Sequence, residues 1–64
     1  MKLNKSNFFK EFRTGNYVKK WGEYIIRHRM WDSQPWQVVD CEDFDKASIV
    51  CSFHLREELW NYIK

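Results

Sequence analysis

What constrains this chain most is its aromatic load: four Trp, three Tyr and five Phe among 64 residues. A domain near this size buries only about 60% of the surface its unfolded chain exposes. Each large ring withdraws roughly 150–250 Å² from water when covered. The rings are therefore the main source of core, and only about two or three of them can be spared for a partner. Such a chain forms a single compact domain, residues 1–64, and its apolar content of 44% sets it apart from disordered sequences.

Punctuation along the chain is sparse, limited to Gly15, Gly22 and Pro35. "SNFFKEFR" predicts a short helix capped by Ser6 or Asn7, with Phe8, Phe9 and Phe12 on one side. "TGN" then interrupts it. Residues 17–31 fit two patterns. Tyr17, Val18, Trp21, Tyr24, Ile25 and His28 make a helical stripe. "EYIIRHRMW" also alternates, with Tyr24, Ile26, His28 and Met30 on one strand face and Arg27 and Arg29 on the other. A helix ending near Gly22 and followed by a strand answers both in part; a helix through Met30 does nearly as well.

"DSQP" is a turn by composition. "WQVVDC" favours strand, "EDFDK" is polar and turn-like, and "ASIVCSF" is again short, apolar and β-branched. "HLREELWNYIK" predicts a terminal helix with Leu55, Leu59 and Tyr62 or Ile63 on its apolar side and Ser52 as a candidate cap. The expected fold is a small α+β domain. It has one or two N-terminal helical segments, an antiparallel hairpin or three-stranded sheet, and a C-terminal helix. An all-α three-helix bundle is the alternative, because Phe44, Ala47, Cys51, Leu55, Leu59 and Tyr62 step by three or four. The β-branched pair Ile49 and Val50 favours strand. The expected core is Phe9, Phe12, Trp21, Ile26, Val38, Ile49, Phe53, Leu55 and Leu59.

Charge is unevenly spread within a net of +2: residues 1–30 carry eight Lys or Arg and two Glu, and residues 31–64 carry three and seven acidic residues. Either the basic end meets an anion, or the two ends face each other within the fold. Several classes are disfavoured. Two cysteines, Cys41 and Cys51, are too few for a disulfide scaffold, although a bridge across a hairpin is geometrically allowed. The start has no signal-peptide pattern and no apolar run spans a membrane, so a cytoplasmic protein with reduced thiols is expected. His28, Cys41, Cys51 and His54 lack zinc-ligand spacing, and the acidic run from Asp40 lacks the Gly and Glu of a calcium loop. No metal and no cofactor are expected. Catalytic motifs are missing as well, so no enzyme is expected.

Two functional readings remain. Trp, Tyr and Arg dominate protein–protein hot spots. The first expectation is thus a non-enzymatic interaction protein that regulates or inhibits a larger protein by binding it. Chains of this size include regulators carried by phages and other mobile elements, although no motif here points to one. The second is a single-stranded DNA- or RNA-binding module, with basic residues on phosphates and rings on bases. The expected contact surface is Arg27, Arg29, Trp31 and Trp36, rimmed by Lys19 and Lys20. Asp40, Glu42, Asp43 and Asp45 form a second, acidic candidate surface, a solvated turn or an anionic knob for a basic partner. A homodimer is a further option, since an interface adds core.

Overall fold

The computed structural model describes residues 3–64. It is a small α+β domain: a four-stranded antiparallel sheet with a helix before it and a helix after it. Helix α1 spans Lys5–Glu11, followed by strands β1 (Tyr17–Trp21), β2 (Tyr24–His28), β3 (Trp36–Val39) and β4 (Ile49–Phe53), then helix α2 (Arg56–Ile63). The strands pair in sequence order, each with the next. The all-helical alternative is excluded, and the sheet has one strand more than expected.

The extra strand is Tyr17–Trp21, which a helical stripe also fitted. Gly22 decides the matter. With φ of +61° it takes the first central position of a two-residue turn, and Trp21 pairs with Tyr24 across it. Glycine there is the signature of the type II′ hairpin turn, whose twist matches that of its strands. Leu3 packs closely beside this turn, since a Cβ on Gly22 would lie 3.0 Å from Leu3 Cδ2.

Asn4 caps α1, its Oδ1 accepting from the Ser6 and Asn7 amides at 2.8 and 3.3 Å. The cap thus falls two residues before the expected Ser6. At α2 the expected Ser52 lies within β4 and caps nothing. Instead Glu58 reaches back, its Oε1 accepting from the amides of Leu55 at 2.9 Å and His54 at 3.2 Å. That satisfies donors a helix N-terminus would otherwise leave open.

Register assigns the two faces of the sheet. Tyr17, His28, Trp36 and Phe53 form one cross-strand row, and Lys19, Ile26, Val38 and Cys51 the next. This face carries the core. Phe8, Phe12, Leu59, Trp60 and Ile63 from the helices pack onto Trp21, Ile26, Trp36 and Val38. Phe8 is the hub, with ring centroids 4.6 Å from Phe12, 5.1 Å from Trp60 and 5.7 Å from Trp21. Its contact with Trp21 is edge-on, a favoured arrangement of two aromatic quadrupoles. Arg56 locks the two helices together. Its guanidinium donates to the Phe12 carbonyl at 2.6 Å and lies 4.5 Å from the Phe9 ring centre. It thereby answers the carbonyls at the C-terminal end of α1.

The core list needs correction at four places. Ile49 and Leu55 are exposed, and Phe9 and Phe53 are only half-buried, while Phe8, Trp36, Trp60 and Ile63 are buried instead. Ile49 and Val50 together oppose the single residue Val39, which makes a bulge on an edge strand. A bulge re-aims side chains, so an apolar strand pattern did not deliver burial there.

Candidate functional site

The second face of the sheet has no helix on it. Ile25, Arg27, Gln37 and Val39 lie there by register, and the β3–β4 loop, residues 40–48, folds over it. Arg27 is 3% exposed and organises this face. Its Nε donates to Gln37 Oε1 at 2.8 Å, and one terminal nitrogen donates to the Phe44 and Ala47 carbonyls at 2.9 and 3.1 Å. The Phe44 ring lies beside the guanidinium, 5.8 Å from centroid to carbon. Gln37, 1% exposed, passes the connection on. Its amide nitrogen donates to Asp32 Oδ2 at 2.9 Å and to the Gln34 carbonyl at 3.1 Å. One buried cation and one buried amide therefore tie the 40–48 loop to the β2–β3 loop, residues 29–35. Burying these groups is affordable because the polar atoms meet partners.

The β2–β3 loop is held from other sides too. The Arg29 amide donates to the Pro35 carbonyl at 3.1 Å, and the Asp32 amide to the Arg29 carbonyl at 3.0 Å. The Met30 amide donates to Asn16 Oδ1 at 2.9 Å, and Ser52 Oγ donates to Gln34 Oε1 at 2.6 Å. On this braced loop Trp31 stands 87% exposed, next to Met30 at 48%. A hollow of about 170 Å³ lies among Asn16, Arg29, Trp31, Asp32 and Phe44. The Arg29 guanidinium is 4.0 Å from Asp32, a loose and half-exposed ion pair.

The expected surface is thereby divided. Trp31 and Arg29 are exposed at the corner. Arg27 and Trp36 are buried and are not contact residues: Arg27 is consumed by the loop bonds, and Trp36 lies in the helix-covered core. Arg27 and Arg29 do not present one surface, because the strand ends at His28 and Arg29 already belongs to the loop. Lys19 and Lys20 cannot rim one patch, since successive strand residues point to opposite faces. Lys19 lies on the helix side, 3.8 Å from Glu11 and over the Phe12 ring.

The acidic segment is brought to the same corner. Phe44, between Asp43 and Asp45, lines the hollow beside Trp31. Asp40 and Asp43 are structural, accepting backbone amides from Ser48 at 2.8 Å and from Asp45 and Lys46 at 3.0 and 3.1 Å. Glu42 and Asp45 are exposed, and their carboxylates take no hydrogen bond or ion pair among the described residues. Of the acidic segment, Phe44 thus reaches the hollow beside Trp31 and Arg29, while Asp40, Glu42, Asp43 and Asp45 do not line it. Sequence reasoning missed Asn16, Met30 and Phe44 there, and missed Gln37 beneath it. Gln37 left a signal: it is the one polar residue in "WQVV".

Among the described residues no group of three or more His, Cys, Asp or Glu is placed to hold a metal ion, and no helix is long and apolar enough to cross a membrane. Cys41 and Cys51 are free thiols. His28 is buried on the core face, its Nδ1–H donating to the Gly15 carbonyl and its ring stacked on Tyr17. Compared with known proteins, the chain matches no family model, no curated protein and no solved structure.

Proposed function

We propose that this chain is a non-enzymatic interaction protein that binds a larger protein directly and regulates or inhibits it, with Trp31 as the anchor. One observation carries the reading: the largest apolar side chain on the surface is held outward on a loop that is fixed from several sides. Covering an indole of roughly 200 Å² at about 25 cal/mol/Å² is worth about 5 kcal/mol gross. A domain this small leaves that stabilisation unused, while its other three Trp are buried. A pre-set aromatic beside Met, Arg and a side-chain-sized hollow is the pattern of an interface hot spot, with little ordering left to lose on binding.

The charge around Trp31 favours protein over nucleic acid. Arg27 is withdrawn from the surface, Arg29 is paired with Asp32, and the exposed carboxylates of Glu42 and Asp45 lie on the loop that supplies Phe44. Phosphates would be repelled there, and a partner with a basic, apolar surface would not.

The test is capture of partners by the tagged protein and by Trp31→Ala, with and without nuclease. A protein partner that survives nuclease and moderate salt and is lost from Trp31→Ala, at an unchanged melting temperature, is the expected result. Partners retained equally by Trp31→Ala, or lost to nuclease with steep salt dependence, would overturn the reading.

A further inference from the structure

We propose that a second copy of this chain pairs with the free edge of β4, strand antiparallel to strand, so that two sheets join into one across a two-fold axis. The strand order leaves two edges, β1 and β4, and they are unlike. β1 is blunted: it carries the exposed Lys19 and Lys20, and lysines on an edge strand keep it from pairing. β4 carries no Lys and no Pro. It lies within residues 47–55, the longest run of the chain without Asp, Glu, Lys or Arg. Its bulge turns Ile49 and Val50 to water, 50% and 58% exposed, and leaves residues 51–53 in regular pairing with β3.

The phase of the ladder sets what this edge offers. The Arg29 amide donates to the Pro35 carbonyl at 3.1 Å, and the Asp40 amide to the Ser48 carbonyl at 3.2 Å. Bonded and non-bonded pairs alternate along an antiparallel ladder. Trp36 with Phe53 and Val38 with Cys51 are therefore the bonded pairs of β3 and β4, and the Ser52 amide and carbonyl point away from β3. Among the described residues they have no partner; Ser52 bonds elsewhere only through its hydroxyl, to Gln34. An open donor and acceptor on a strand edge call for another extended backbone. Three arguments make that backbone a second copy. A run without charge lies antiparallel to itself with no like charges opposed. With β1 blunted, β4 does not continue into another copy's β1, so pairing closes as a dimer instead of growing into a filament. The area fits a weak pair. Ile49, Val50, the exposed Leu55 after the strand and Tyr62, its ring 5.4 Å from Phe53, are far fewer than the roughly 20–30 residues a side of a standard interface.

The test is sedimentation equilibrium and amide hydrogen exchange on the full chain, from about 10 µM to about 1 mM, the range in which a weak pair forms. The mass should rise toward twice that of the monomer and stop there, and the Ser52 amide should exchange more slowly as it does. Val50→Lys changes a side chain already in water. It should keep the melting temperature measured at low concentration and weaken association about tenfold or more. Trp31→Ala should leave association unchanged, because the corner is a separate surface. A chain that stays monomeric to about 1 mM overturns the proposal. So does association undiminished in Val50→Lys, association lost in Trp31→Ala, or growth beyond the dimer. If Val50→Lys does not fold, Ser52 exchange in the wild type decides: a dimer in which this amide exchanges as fast as in the monomer overturns the proposal. A monomer whose Ser52 amide is protected only by an added extended peptide of unrelated sequence assigns the edge to a foreign strand, and overturns it as well.

Discussion

The two faces of the sheet are held by different physics. Under the helices lies a dry cluster of rings around Phe8, where stability comes from area and edge-to-face packing. Under the β3–β4 loop lies a polar junction built on Arg27 and Gln37, where stability comes from directed bonds. The first holds the domain together, and the second sets the shape of a surface. Ring clusters tolerate small shifts, but a guanidinium fork and an amide fix their partners to within a few tenths of an ångström. The exposed Trp31 stands on the β2–β3 loop that this polar junction ties down.

The largest effect should come from emptying the ring cluster. Phe8→Ala removes the hub of the core and should cost about 4 kcal/mol, enough to unfold much of a domain this small. Thermal melts followed by near-UV circular dichroism read this directly; a melt lowered by only a few degrees would show that the helices contribute little. Next is the polar face. Arg27→Met should cost about 3 kcal/mol, since it leaves Gln37 Oε1 and two carbonyls without their donor. It should also raise hydrogen exchange at 29–35 and 40–48 before it does so in the helices. Uniform exchange across both faces would show that the two are one cooperative unit.

A smaller effect lies at Tyr17, whose hydroxyl is buried without a partner. Burial pushes its pKa well above 10, with Arg56 opposing more weakly. The unfolded chain then loses this proton first, so stability falls as pH rises through the unfolded value near 10. Tyr17→Phe should flatten that alkaline limb and leave stability at pH 7 unchanged or slightly raised. An alkaline limb identical to wild type would place the sensitivity elsewhere. The smallest effect on folding should be at Trp31. Its replacement by Ala should change stability by less than about 0.5 kcal/mol in a urea melt, as for other exposed sites. A larger loss would mean that the indole braces the hollow.

Much of the fold was legible along the chain. The punctuation by Gly22 and Pro35, the apolar strand "WQVV" and the stepping of Leu59 and Ile63 are local signals that hold wherever the segment docks, whereas "IVCSF" also fitted a helical step and is settled as strand by its pairing with β3. Tyr17–Trp21 was less legible because period 2 and period 3.6 both fit five residues, and only pairing with β2 separates them. The candidate site was half legible. Trp31 and Arg29 carry the residue types of a hot spot. Arg27 has the same chemistry, yet the sequence has no marker for its withdrawal.

The sequence by itself determined that most rings must be buried, that a turn follows Met30, and that the acids cluster after Val39. Periodicity, turn chemistry and charge order are written along the chain, so they needed no partner to be read. Only the tertiary structure decided which tryptophan of "RHRMWDSQPW" faces water. Trp36 belongs to a strand row that the helices cover, while Trp31 sits past the end of β2 on a loop pinned by Gln37 and Asn16. It also decided that Phe44 shares that corner, because burying Arg27 required carbonyls from the 40–48 loop. Such a requirement arises between distant segments, when a buried charge must find its donors' partners, and no local pattern records it.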